Sequence, residues 1–235
     1  MITHPRLTPA SRLRAVQARI ARATAEAGRD AAAVGLLAVS KTFDAAAVRD
    51  LAACGQREFG ENYVQEALDK QTQLADLPLV WHFIGPIQSN KTRAIAERFS
   101  WVHSVDRLKI AERLSAQRPV GLPPLQVCIE VNVSGETSKG GVTVAELPEL
   151  ADAVAALPRL QLRGLMAIPA PVADRDAQRA AFRQVRQAFE ALVARGHPID
   201  TLSMGMSADM EAAILEGATS VRIGTALFGE RIYPG

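Results

Sequence analysis

The stretch GLLAVSK, residues 35–41, is a short apolar run that ends in a lysine. A run of this length predicts a buried β-strand. Seven further strand-sized runs follow it, and segments with a helical period separate them. The strands are predicted at Gly35–Ser40, Arg57–Gly60, Val80–Gly85, Trp101–Ser104, Leu125–Val133, Gln161–Ile168, Thr201–Met204 and Ser220–Ile223. The helices are predicted at Pro9–Ala27, Ala45–Ala53, Tyr63–Leu74, Lys91–Phe99, Arg107–Gln117, Val144–Leu157, Arg175–Arg195 and Ala208–Glu216.

Strands that alternate with helices imply parallel pairing through right-handed crossovers. Eight such strands favour a closed α/β barrel, a (β/α)8 TIM barrel with an extra N-terminal helix. We expect residues 1–235 to form this barrel as one domain, which is an ordinary length for the fold. An open doubly wound sheet is the alternative, but the sequence shows no glycine-rich dinucleotide fingerprint after the first strand.

The composition indicates an ordinary soluble protein with 48% hydrophobic and 22% charged residues. Its net charge of +2 gives no reason to expect a nucleic-acid partner. The N-terminus is polar and the apolar runs are short, so we expect a cytoplasmic protein without a membrane partner. The four histidines are scattered, which argues against a metal site. We interpret Cys54 and Cys128 as small buried residues in a reducing compartment.

Lys41 is the first candidate functional residue. Side chains alternate along a strand, so residues 37, 39 and 41 share one face, and the first two are apolar. Lys41 is then expected at the mouth of the barrel with its stem against an apolar wall. Such a wall disfavours the ammonium form and favours the neutral amine that forms imines. A lysine that merely snorkels to solvent at a strand end is the alternative.

The last two strands end in a second group of candidates. Catalysis and phosphate binding in barrels belong at the C-terminal ends of the strands, with phosphate at strands 7 and 8. Glycines there let backbone N–H groups approach a phosphate, and hydroxyls add donors. The residues concerned are Ser203, Met204, Gly224 and Thr225. Ser207 is expected to cap the helix that follows strand 7.

These candidates suit pyridoxal 5'-phosphate (PLP). That cofactor needs a lysine for its aldehyde, a cradle for its phosphate and a partner for its ring nitrogen. Arg222 lies just before the last loop and is the candidate partner, although a salt bridge at the barrel mouth is an equal alternative.

Several segments resemble the pyridoxal phosphate homeostasis protein family from about residue 10 to the C-terminus. They are AVSKTF (38–43), FGENYVQEA (59–67), WHFIGPIQSNK (81–91), VNVSGETSKGG (131–141), RGLMAI (163–168), LSMGMSADMEAAI (202–214) and VRIGTALFGER (221–231). The family is similar to the barrel domain of alanine racemase, known as fold type III. The resemblance implies a PLP-binding protein that influences vitamin B6 supply and amino-acid balance without a known catalytic reaction.

The resemblance also implies roles for individual residues. Lys41 carries the imine, Arg222 faces the pyridine nitrogen, and the four residues of strands 7 and 8 hold the phosphate. Asn62, His82 and Met166 line the ring pocket. Phe43 stands where the family often has a second lysine, which puts a relay role there in doubt, and Lys139 remains a candidate secondary site.

Three functions follow from this pattern. The first is a monomeric PLP carrier or regulator that passes its cofactor to PLP-dependent apo-enzymes. The second is a small racemase or lyase of the alanine racemase type, but Tyr63 and Tyr233 are not obviously placed to act as its second base. The third is a sugar- or nucleotide-phosphate enzyme that pairs Lys41 with Glu61 or Glu130. The resemblance favours the first.

Overall fold

The computed structural model describes residues 8–135 and 140–229, which form a closed barrel of eight parallel strands. The strands are β1 (Gly35–Val39), β2 (Glu58–Glu61), β3 (Val80–Phe83), β4 (Trp101–Val105), β5 (Leu125–Glu130), β6 (Leu160–Met166), β7 (Thr201–Ser203) and β8 (Ser220–Ile223). Each strand pairs with the next, and β8 pairs with β1. The predicted barrel is confirmed, and the open sheet is excluded.

Helices surround the barrel, one after each strand, and one more precedes β1. They are α1 (Pro9–Glu26), α2 (Ala45–Ala53), α3 (Val64–Gln73), α4 (Thr92–Arg98), α5 (Leu108–Gln117), α6 (Leu147–Ala155), α7 (Arg175–Ala194), α8 (Met210–Leu215) and α9 (Thr225–Phe228). The extra helix, α1, is capped by the hydroxyl of Thr8, which accepts from the N–H of Ser11. None of the described helices is long and apolar enough to cross a membrane.

Apolar side chains fill the layer between the strands and the helices. The ring of Phe83 on β3 packs edge-on against Phe99 after α4, with centroids 5.4 Å apart. Phe59 on β2 packs against Trp81 on β3 at 5.9 Å. Such aromatic pairs add to the stability that burial of apolar area provides.

The interior of the barrel, in contrast, contains buried polar groups. His103 on β4 contacts Ser203 on β7 through a hydrogen bond. These strands are not neighbours in the barrel, so this contact crosses the interior. A polar interior is unlike the apolar layers typical of such barrels, and it has to be held by hydrogen bonds.

Three strands end two or more residues earlier than the sequence predicts, and β3 is one of them, because it ends at Phe83 rather than Gly85. Strand β5 ends at Glu130 rather than Val133, and β6 ends at Met166 rather than Ile168. Beyond β5 the chain leaves the barrel, and Val131 forms an isolated bridge with Val142.

The cysteine interpretation is half right. Cys128 on β5 is fully buried, and burial raises the pKa of its thiol to about 12. Cys54, however, is exposed and unpaired, because it follows the last residue of α2 on the solvent side.

Candidate functional site

A cavity of about 270 Å³ opens at the C-terminal ends of the strands, where the barrel rule predicts the site. Turns after β1, β2, β3, β6, β7 and β8 contribute to its wall. The lining residues are Val39, Lys41, Asn62, Ile84, Ile168, Met206, Ser207, Ala208, Arg222, Gly224 and Thr225. The structure therefore brings five of the predicted residues together in one cavity: Lys41, Asn62, Arg222, Gly224 and Thr225.

Lys41 lies two residues beyond the end of β1 and is half-buried. Val39, on the same face, lines the cavity as well, as the alternation of strand side chains predicts. The next residue, Thr42, has a φ of 68°, which is uncommon for a side chain with a branched Cβ. Its N–H donates to Glu66 Oε1 at 2.6 Å, and this bond holds the turn in its strained form.

A buried ionic cluster lies next to this turn. Lys70 of α3 donates from Nζ to Ser40 O at 2.7 Å, to Glu61 Oε1 at 2.7 Å and to Glu66 Oε1 at 2.6 Å. Ser40 Oγ donates to the same Glu61 oxygen at 2.5 Å. Burial raises the pKa of Glu61, while the charge of Lys70 acts against that rise. The cluster ties β1, β2 and α3 together just before Lys41.

Arg222 of β8 is buried and stands at the inner end of the cavity. Its Nη1 donates to Ser203 O at 2.5 Å and to Ser203 Oγ at 2.9 Å, and its Nη2 donates to Ala167 O at 3.0 Å. Burial lowers its pKa to about 10, and the charges of Asp209 and Glu130 oppose that fall. The group therefore stays charged at neutral pH. Three of its five N–H groups are used in contacts among the described residues, and the other two can face a ligand.

Asn62 supplies a buried polar atom that fits a ligand. Its Oδ1 lacks a hydrogen-bond partner among the described residues. The backbone of Asn62 packs directly against Gly85, and this contact fixes the position of the residue. A Cβ on Gly85 would stand only 2.4 Å from Asn62 O, so this close approach requires glycine.

The turns after β7 and β8 form the polar wall of the cavity. Gly224 packs closely on β1, where a Cβ would stand 3.3 Å from Val39 O. Thr225 is the first residue of α9, so its N–H has no acceptor inside that helix. In the other turn, Asp209 Oδ1 accepts from Met206 N at 2.6 Å and shapes the loop that presents Ser207. Hydroxyls and N–H groups at such turns suit a phosphate.

The structure places four predicted residues elsewhere. Ser203 and Met204 are fully buried and do not line the cavity, because β7 ends at Ser203 and the loop after it lies further out. Met166 is buried on β6, and Ile168 lines the cavity instead. His82 lies near the opposite end of the barrel, where it stacks on Trp101, the first residue of β4.

Ser207 lines the cavity, although the sequence interpretation treated it only as a helix cap. It does not cap α8, since that helix begins at Met210 and Asp209 takes the N-cap position. The signal that pointed to it was present, because Ser207 lies in the glycine-containing turn after strand 7, where the barrel rule places phosphate binding.

Phe43 links the two sides of the site. Its ring stacks on Phe228 of α9 with centroids 4.7 Å apart and planes at 18°. The turn that carries Lys41 is thereby fixed to the helix that begins at Thr225. Lys139, the candidate secondary site, lies outside the described residues.

A larger groove of about 520 Å³ lies between α1, α7 and α8. Four of its charged groups pair with one another: Arg19 with Glu211, and Arg175 with Glu26. These paired groups contrast with the orphaned amide oxygen of Asn62 and the buried guanidinium of Arg222.

Comparison with known proteins defines the class first. The family model of the alanine racemase N-terminal domain matches residues 11–232. A solved alanine racemase from Clostridium difficile 630 has the same fold, with a TM-score of 0.72, although only 15% of residues are identical. The match covers 95% of this chain and 57% of that one. The protein is thus an alanine-racemase-type barrel.

Closer relatives define the family. A pyridoxal phosphate homeostasis protein of Pseudomonas aeruginosa is 67% identical over 226 residues, which are 96% of this chain and 97% of that protein. The structure of PipY from Synechococcus elongatus PCC7942 with PLP bound is 40% identical with a TM-score of 0.81. It covers 94% of this chain and 100% of that one. This chain belongs to the pyridoxal phosphate homeostasis protein family, as its motifs predict.

Proposed function

We propose that this protein binds PLP in the 270 Å³ cavity and serves intracellular PLP homeostasis as a carrier or regulator. The observation that carries the proposal is the meeting of Lys41, Arg222 and Thr225 around one cavity. A nucleophilic amine, a fixed guanidinium and a polar turn are the three groups that PLP requires. The PLP-bound state of PipY, at 40% identity, supports the same ligand here.

Each group has a distinct task in this proposal. When bound, PLP would supply a reactive aldehyde, and Lys41 would hold the cofactor through its Nζ. Arg222 donates to the pyridine nitrogen, and its three protein contacts keep its guanidinium in place. The amide of Asn62 is available to a ring substituent. Gly224, Thr225 and Ser207 hold the phosphate.

We further propose that the protein does not turn over amino acids efficiently. Two-sided proton exchange needs a second base across the cavity from Lys41. Of the two tyrosines, Tyr63 is 57% exposed and does not line the cavity, and Tyr233 lies outside the described residues. The name of the Pseudomonas relative also points to homeostasis rather than catalysis.

The cellular setting belongs to the same proposal. A carrier acts where PLP-dependent enzymes are made, so we place the protein in the cytoplasm as a monomer that gives PLP to apo-enzymes. The exposed side chains of Ile168 and Met206 line the cavity, and a ligand that borders solvent in this way supports the role of a carrier.

Borohydride trapping tests the proposal directly. The protein loaded with PLP is reduced and digested, and the modified lysine is found by mass spectrometry. We expect the label on Lys41, no label in Lys41→Ala, and unchanged labelling in the matched variant of the exposed Lys109, Lys109→Ala. A protein that takes up no PLP, or carries it only on another lysine, contradicts the proposal.

A further inference from the structure

A line of hydrogen bonds runs through the barrel interior from Arg222 to His82. Ser203 Oγ lies 2.9 Å from Arg222 Nη1 and 2.8 Å from His103 Nδ1. His103 Nε2 in turn lies 2.9 Å from His82 Nδ1. All four side chains are at least 95% buried. The line connects side chains of β8, β7, β4 and β3, and the pairing of these strands does not depend on it.

We propose that His82, His103 and Ser203 are positioning residues that form a hydrogen-bond chain of fixed direction and hold Arg222 toward the cofactor cavity. Arg222 lines that cavity, whereas none of these three residues does. They therefore act on it only through Arg222. The proposal rests on the proposed PLP site for its binding readout, but the direction of the chain is measured without cofactor.

The direction follows from counting donors and acceptors. Arg222 has no acceptor, so it donates to Ser203 Oγ. The described contacts offer the Ser203 hydroxyl proton one acceptor, which is His103 Nδ1. His103 then carries its proton on Nε2 and donates to His82 Nδ1. His82 in turn carries its proton on Nε2.

The opposite direction leaves a proton without a partner. If His103 Nδ1 donated to Ser203, the serine oxygen would accept twice, from His103 and from Arg222. Its own hydroxyl proton would then be buried with no acceptor among the described contacts. The His82 Nε2 lone pair would lack a donor as well, so the opposite direction leaves two groups unsatisfied, whereas the first direction leaves only the His82 Nε2 proton.

Both histidines are neutral, as this chain requires. Burial lowers the pKa of His82 to about 3. Burial also lowers the pKa of His103 well below its ordinary value, and the neighbouring His82 and the charge of Arg222 act in the same sense. A protonated histidine would donate from both nitrogens and could not accept from Ser203.

The far end of the chain opens into a second cavity of about 340 Å³ at the N-terminal end of the barrel. His82 Nε2 lacks a partner among the described residues and lies 3.9 Å from Glu58 Oε2. Burial raises the pKa of that carboxyl group. A proton on His82 Nε2 therefore lies 3.9 Å from the Glu58 carboxylate. This is the arrangement expected when each donor in the chain points from Arg222 toward His82.

Loss of His103 is expected to release Arg222. Without it the Ser203 hydroxyl proton loses its one acceptor among the described contacts, so the hydroxyl is free to rotate and its lone pair no longer has to face Nη1. In His103→Gln an amide presents an acceptor and a donor in place of the two ring nitrogens, so the chain is kept. In His103→Leu both contacts are lost.

Nitrogen-15 NMR of the cofactor-free protein tests the direction. We expect both His82 and His103 as Nε2–H tautomers, and separate Arg222 Nη resonances. In His103→Leu the Arg222 resonances should average. An Nδ1–H tautomer on His103 in the parent protein, or separate Arg222 resonances retained in folded His103→Leu, overturns the proposal.

PLP titration provides the second readout. We expect His103→Leu to bind PLP about tenfold more weakly, as for one lost charge-assisted bond. We expect His103→Gln to bind within about twofold of the parent. His197→Gln is the matched control, since His197 contacts Asp152 on the outer surface. Equal PLP affinity in folded His103→Leu and the parent contradicts the positioning role. A parent protein that binds no PLP defeats the proposed function instead, and the NMR result then decides the chain alone.

Discussion

Lys70 Nζ lies 2.7 Å from Glu61 Oε1, and the two side chains are 4% and 0% exposed. This ion pair is shielded from solvent next to the turn that carries Lys41. A buried pair adds little net stability over an apolar pair, but removal of one partner leaves an uncompensated charge. The pair therefore makes the local structure of the Lys41 turn sensitive to a single substitution on α3.

Lys70→Met should destabilise the protein by about 3–5 kcal/mol, the cost of breaking a buried ion pair. It also removes the bond to Ser40 O, so PLP should bind more weakly. Urea unfolding measures the first effect and PLP titration the second. Lys109→Met, at an exposed lysine, is the control and should change neither. A Lys70→Met protein as stable as the parent would show that the pair is not formed.

The destabilisation by Lys70→Met should depend on pH. Burial raises the pKa of Glu61 above its ordinary 4.5, and Lys70 opposes the rise. A raised folded-state pKa gives stability that is present below the ordinary value and lost as pH rises through the folded value. Without Lys70 the folded pKa rises further, so the loss continues to higher pH. The difference in unfolding free energy from the parent should be larger at about pH 8 than at about pH 5. A constant difference contradicts this account.

The proposed phosphate site predicts a difference in affinity between PLP and pyridoxal. Ser207→Ala and Thr225→Val should weaken PLP about tenfold and leave pyridoxal binding unchanged, because one bond to a charged group is lost. Ser203→Ala should weaken both ligands equally, since Ser203 contacts Arg222 and lies outside the cavity. Fluorescence titration with each ligand separates the cases. A loss confined to PLP in Ser203→Ala would return the phosphate role to Ser203.

The stack of Phe43 on Phe228 should slow the release of PLP. An aromatic pair contributes about 0.5–1.5 kcal/mol beyond its burial, so Phe43→Leu should speed dissociation about twofold to tenfold. Transfer of PLP to an apo-enzyme measures the rate. Phe99→Leu removes a different aromatic pair, with Phe83, and should lower stability without changing release. If both variants release PLP at the parent rate, the stack has no part in retention.

The sequence predicts the barrel and part of its site for clear physical reasons. Each strand is a short apolar run between helical segments, and the period of side chains shows this without any tertiary information. Lys41 and Arg222 are found because chemistry at strand ends follows from the fold itself. Gly224 and Thr225 follow from the same rule, and all four residues line the cavity.

Whether a predicted residue reaches the cavity depends on its height along the barrel axis, which a sequence does not reveal. The misplaced residues lie at the wrong height. Strands tilt in a barrel, so polar residues in two neighbouring strands can lie at opposite ends. His82 is the third residue of β3 and lies toward the N-terminal opening, while Asn62 follows β2 and lies at the mouth. Lys70 was missed because, four residues after Glu66, it has the spacing of a surface ion pair on a helix.

The last prediction concerns proton exchange at the α-carbon of amino acids. Efficient racemisation removes a proton on one face and returns it on the other, so it needs two bases near neutral pH. Among the described residues that line the cavity, only Lys41 has a side chain suited to this task. His82 and His103 are buried below it, and their lowered pKa values make them weak bases.

The PLP-loaded protein in D₂O should therefore racemise L-alanine and D-alanine far more slowly than about 1 s⁻¹, an ordinary enzyme rate. Any deuterium that Lys41 does introduce should appear with retention of configuration, because the proton returns on the face from which it left. Chiral chromatography with mass spectrometry measures both configuration and label. Lys41→Ala is the control and should show no exchange. Rapid label uptake with inversion would reveal a second base and an enzyme rather than a carrier.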